Sequence, residues 1–179
     1  MSETKKRGMK KEDSIKTVKL MGMVGILSIV SALLLEFVPI YGINALITAL
    51  PLCWVLCTYL DEKPRQGMLI TVVLPASLLI MPLSLRMGCI LLLAALVSEL
   101  FYGFSKDKKS DQRNKVSLIT TFNTMIYPGL LLWELLATQG ESTIMMTDFT
   151  LALMIFTITH ILGFVGVRIA LKDKVEYDY

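Results

Sequence analysis

The sequence predicts an all-α integral membrane protein, a bundle of six transmembrane helices with both termini in the cytoplasm. Three observations predict it. Apolar residues make up 54% of the 179 and charged residues only 18%, against about 25% charged in ordinary soluble proteins. The stretch Gly67–Phe104 contains just two charges, Arg86 and Glu99. As one helix it would be about 57 Å long, nearly twice a ~30 Å hydrocarbon core, so it reads as a hairpin of two spans. The cations, finally, fall in alternate gaps between the apolar runs. One set of gaps carries seven (residues 1–19), two (Lys63, Arg65), five (Lys106, Lys108, Lys109, Arg113, Lys115) and three (Arg168, Lys172, Lys174); the other set carries none, one (Arg86) and none. Positive charge marks the cytoplasmic side, and an even number of spans is required to return the chain there.

Residues 1–19 form a basic cytoplasmic segment. The first span is 20–39, ending in the uncharged turn Pro39-Ile40-Tyr41-Gly42, and the second is 43–60, with Pro51 near its middle. A short charged turn, 61–66, leads into the hairpin, whose spans are 67–83 and 87–104 with Arg86 at the tip. Proline, serine, arginine and glycine between Pro82 and Gly88 make the break there. The fifth span, 116–137, follows a hydrophilic loop too short for a domain; the sixth, 147–171, precedes the cytoplasmic tail 172–179. No cleavable signal peptide is expected, because the basic start runs into a long apolar stretch without a small-residue cleavage site. Cys53, Cys57 and Cys89 lie inside apolar runs and read as small buried hydrophobes.

Ionisable side chains inside lipid cost a few kcal/mol each, so every one calls for a reason. Glu36, Arg86, Glu134 and Asp148 all fall near the outer boundary in this topology. Two readings stand: the mouth of an outward-facing site in which Arg86 meets a substrate anion or bridges Glu36 and Glu134, or ordinary helix-end and snorkelling charges. On span five, Thr120, Asn123 or Thr124, Tyr127, Leu130 and Glu134 recur at steps of three and four and share one face, beside Trp133. Pro128-Gly129 is expected to interrupt that helix. On span six, Thr157 and His160, the only histidine, share a face; ligand contact is one role, a structural hydrogen bond to a neighbouring threonine or carbonyl the other. Glu99 precedes the basic loop and would anchor that loop, pair with a loop lysine or meet a partner. Ser28 and Ala32 on span one, with Ala45 and Ala49 on span two, have the spacing that lets helix backbones approach closely.

No Walker motif, GxSxG, HExxH or paired CxxC occurs. The expectation is therefore not an enzyme, with no cofactor, no metal site and no nucleic-acid partner. Any energy for transport would come from partner subunits or a gradient.

The run Leu93–Lys109 (LAALVSELFYGFSKDKK), continued by Lys115–Trp133, resembles the substrate-binding membrane subunits, the S components, of energy-coupling factor (ECF) transporters, in particular the branch found in streptococci and treponemes. That resemblance implies a subunit of the bacterial cytoplasmic membrane that binds a vitamin-like molecule from outside. It implies as partners a transmembrane coupling subunit and two cytoplasmic ATPase subunits. In the family, span one offers an Ala-x-x-x-Ala surface to the coupling subunit. Ser28-Ile-Val-Ser-Ala32 is the corresponding stretch here, and Ala45–Ala49 on span two carries the literal spacing. The expected substrate pocket is Glu36, Tyr41, Asn44, Arg86, Asn123, Tyr127, Trp133 and Glu134. Its aromatic rings would stack on the ligand, its amides orient it, and Arg86 would meet a negative group. His160 leaves haem or a metal chelate open as cargo. The alternatives are a small scaffold subunit without cargo and a stand-alone proton-coupled carrier.

Overall fold

A computed structural model of the chain describes residues 3–37, 42–61, 64–105, 111–137 and 149–177. Six helices run through them: α1 Glu3–Phe37, α2 Ile43–Tyr59, α3 Met68–Ile80, α4 Leu85–Ser105, α5 Asp111–Ala137 and α6 Phe149–Tyr177. Leucine, isoleucine, valine, methionine and alanine dominate each, and the chain turns where glycine or a polar cluster appears. Gly42 and Gly67 stand immediately before α2 and α3 at φ +82° and +85°, a left-handed conformation that only glycine adopts without strain. The break within the apolar stretch falls at residues 81–84, where backbone bonds from Leu83 and Ser84 to the Ile80 carbonyl close the turn.

Four of the six are long and apolar enough to cross a membrane: Ser14–Phe37, Leu85–Phe104, Asp111–Leu136 and Thr150–Lys172. The remaining two, α2 and α3, have 17 and 13 residues, about 25 and 20 Å of helix. Six apolar helices are thus present where six spans are expected, two of them shorter than a ~30 Å core. Pro51, Pro75 and Pro128 all sit within helices. The interruption expected at Pro128-Gly129 does not occur: α5 continues through it to Ala137.

The helices close into a ring in the order α1, α3, α4, α5, α6, α2 and back to α1, and α2 also touches α5 across the middle. Phe122, Ile126, Tyr127 and Leu130 of α5 and Ala45, Ala49, Leu52, Cys53 and Leu56 of α2 are all buried in the core. Small residues on α2 thin that face, so its neighbours come in close; Gly166 of α6 lies against the Leu50 backbone carbonyl. Large apolar side chains instead cover the outside, among them Leu33, Leu78, Leu100, Leu136 and Ile161. An apolar exterior on long apolar helices suits hydrocarbon rather than water.

Candidate functional site

The upper end of the bundle, taken as the end where α1 and α5 finish and α4 begins, gathers three of the expected charges. An Arg86 Nη lies 3.2 Å from Glu36 Oε1, and its other Nη lies 3.7 Å from Glu134 Oε2. The guanidinium of α4 thus bridges carboxylates on α1 and α5. Ser84 adds a hydroxyl donated to the same Glu36 oxygen at 3.0 Å and accepts the Met87 backbone N–H at 3.3 Å. That cluster has one more carboxylate than cation. Its side chains retain 44% (Glu36), 24% (Arg86) and 16% (Glu134) of their exposure, so it reaches the surface rather than being sealed.

Below this cluster the expected pocket residues are packed inside the bundle. Asn44 is fully buried; its Nδ2 donates to Ser31 Oγ at 3.3 Å and approaches Met87 Sδ at 3.9 Å. Its Oδ1 has no hydrogen-bond partner among the described residues, and neither does the buried Ser28 Oγ. A cavity of about 10 Å³ lies beside them, bounded by Ser28, Ser31, Thr48 and Met87, among others. It has room for one water molecule and polar groups to hold it. Asn123 is buried and donates from Nδ2 to the Thr159 carbonyl at 3.1 Å, tying α5 to α6. Tyr127 is fully buried beneath Gly42, where a Cβ would come within 2.7 Å of its ring. Trp133 packs partly buried against the core. Tyr41 and Asp148 lie outside the described residues.

The polar face of α5 therefore points into the bundle. Thr120 and Thr124 donate to carbonyls one turn back in their own helix, at 2.9 and 2.7 Å. The Thr124 oxygen also meets His160 Nδ1 at 2.8 Å; since the hydroxyl hydrogen goes to Thr120, the imidazole N–H is the donor in that contact. His160 is exposed on the bundle exterior apart from this bond, as is Thr157, whose hydroxyl donates to the Leu153 carbonyl at 2.8 Å. The structural reading of His160 is the one the geometry follows, and Thr157 shares no enclosed space with it.

Corrections fall on the expected docking residues. Ser28, Ala32, Ala45 and Ala49 are all buried where α1 and α2 meet the rest of the bundle, so their small size serves internal packing. Glu99 is buried too. Its two oxygens accept the backbone N–H of Gly67 at 2.9 Å and of Leu69 at 2.8 Å, capping the start of α3. Its burial does not suit a surface partner; an unsatisfied helix N-terminus with its positive end favours a carboxylate there.

One more such residue escaped the sequence reading. Lys115, counted among the loop cations, is buried and donates from Nζ to the Leu60 carbonyl at 2.6 Å, at the end of α2. Tyr102 completes the arrangement with a 2.7 Å bond from its hydroxyl to the Pro64 carbonyl. The lower ends of α4 and α5 thereby clamp the connection between α2 and α3. Nothing in local spacing links these partners, which lie 30 or more residues apart.

Comparison with protein-family models, with curated proteins and with solved structures found no match to this chain.

Proposed function

We propose that the chain is the substrate-capture subunit of an ATP-driven micronutrient importer of the ECF type, set in the bacterial cytoplasmic membrane with six spans and both termini inside. The observation that carries this reading is the Arg86 bridge. A guanidinium held between carboxylates of two other helices at the bundle's upper end is a ready exchange point. A cargo anion would replace a carboxylate on Arg86. The buried Asn44 Oδ1, without a partner among the described residues, faces no space larger than one water, so the exchange point is confined to the charged cluster above it. The steep cation asymmetry supports the orientation. Helices α2 and α3 fit as short spans because a bilayer thins locally around them at modest cost. Cargo of vitamin size, or a haem or metal chelate, would be handed inward with a coupling subunit and two ATPase subunits.

The decisive experiment is mass spectrometry of small molecules that co-purify with the chain, followed by binding of the molecule found. Arg86→Gln and Glu134→Gln are expected to weaken binding about tenfold or more, equivalent to about 1.4 kcal/mol, while leaving the protein folded. Unchanged affinity in both variants would remove this pocket.

A second reading has its own observation. Asn123, Thr124, Thr120 and His160 all have partners within the bundle, as in a scaffold subunit that holds other chains and carries no cargo. A preparation with partner proteins bound and no co-purified molecule would select it.

A further inference from the structure

An open groove of about 770 Å³ runs between the lower ends of α5 and α6. Val116, Phe164 and Leu171 give it an apolar side; Arg113, Arg168 and Lys172 give it cations, and no carboxylate lines it among the described residues. Arg168 and Lys172 are exposed and one helical turn apart, about 6 Å along α6. The Arg168 guanidinium carbon lies 5.2 Å from the Phe164 ring centroid, within cation–π range, which lays the side chain along the groove. Asp111 and Arg113, in the first turn of α5, already have interactions within the chain. Arg168 and Lys172 are therefore the cations that can hold an anion here, with the charge of Arg113 adding to the local field.

We propose that this groove binds an anionic phospholipid, its phosphate held by Arg168 and Lys172 and an acyl chain lying along Val116, Phe164 and Leu171. The two halves of the groove match the two halves of such a molecule. In the bilayer placement proposed above, cations at these helix ends stand at headgroup level on the cytoplasmic side. Basic sites between helices on that side are suited to acidic headgroups. Bilayer placement is the only part of the functional reading this site depends on; cargo capture is not needed.

The test is native mass spectrometry of the full chain in neutral detergent, titrated with dioleoyl-phosphatidylglycerol, dioleoyl-phosphatidylcholine or inorganic phosphate. Phosphatidylglycerol is expected to be retained at least about tenfold over phosphatidylcholine, with each cation contributing about fivefold. Arg168→Gln with Lys172→Gln should bring that ratio to within about twofold, whereas Arg168→Lys should keep most of it. If the double variant aggregates, Lys172→Gln alone should lower the ratio about fivefold. Equal retention of the two lipids overturns the proposal. Displacement of the lipid by millimolar phosphate assigns the cations to a soluble phosphate compound and also overturns it. So does a double variant that keeps its lipid selectivity but no longer assembles with partner proteins, which would give the groove to an acidic protein segment. Sidedness is read separately, by labelling Lys109→Cys and Glu141→Cys from outside; labelling of Lys109→Cys but not Glu141→Cys would overturn the cytoplasmic placement on which the proposal rests.

Discussion

At the scale of single residues, the two acidic or basic side chains buried most deeply among the described residues have structural work. Glu99 is 4% exposed and Lys115 3%, and an ionisable group at such depth in a membrane chain is by default a functional hypothesis. Here each carries a charge that a helix terminus can use: the carboxylate receives two N–H groups at the start of α3, and the ammonium donates at the end of α2. Glu99→Gln keeps the shape and an acceptor oxygen but loses the charge, and is expected to destabilise the fold by about 1–2 kcal/mol. Glu99→Ala leaves both N–H groups without a partner and should cost about 3 kcal/mol. Unfolding in detergent with increasing denaturant measures both, and equal stability of all three proteins would refute the capping role. The sequence reading placed Glu99 and Lys115 by their neighbours in the chain. It could not place them by their reach, since a cap 30 or 55 residues away leaves no local spacing to read.

At the scale of elements, close approach between helices decides more than apolar content does. Lipid tails are as apolar as leucine, so helices associate through packing and hydrogen bonds rather than through exclusion from water. The α2–α6 contact shows where that packing is tightest, because Gly166 has the Leu50 carbonyl where its own Cβ would be. Gly166→Ala is expected to force α6 away from α2 and to cost about 1–3 kcal/mol. Gly22→Ala, on a part of α1 with nothing within 4 Å of the added carbon, should be neutral or stabilise by up to about 1 kcal/mol, as alanine favours helix. Thermal unfolding of the pair checks the contrast, and similar melting temperatures would contradict it. Element positions were readable from the sequence because most apolar runs end at a glycine turn or a charged cluster; the break at residues 81–84 instead falls on Pro82 and Ser84, with Arg86 and Gly88 already inside α4. Pro128 was misread as a break. A proline removes a single backbone bond, and within a packed apolar bundle α5 runs on past that loss.

At the scale of the whole molecule, the ring order of the helices and the crossing of α2 with α5 were not readable from the sequence. Every span there shows an apolar pattern, and the pattern says that a face is buried without saying against which neighbour. Arg86 was a partial exception: charges near one boundary have few available partners, and bridging Glu36 to Glu134 was one of the two readings open to it. By contrast, the same sort of reasoning put Asn44, Asn123 and Tyr127 around a cavity, and the structure puts them in contacts between helices. Short polar side chains serve both purposes equally well, so their identity alone does not separate a lining from a seam.

The fastening of the α2–α3 connection has a consequence for biosynthesis. Its fixtures belong to segments that leave the ribosome after it, so the first three helices emerge with that corner undone. Trypsin should cut after Arg65 in a stalled chain that ends at Leu83 plus a linker long enough to bring Leu83 clear of the ribosome, and spare the same bond when the linker instead follows Ala137. Equal cleavage of the two would mean that the corner sets without them.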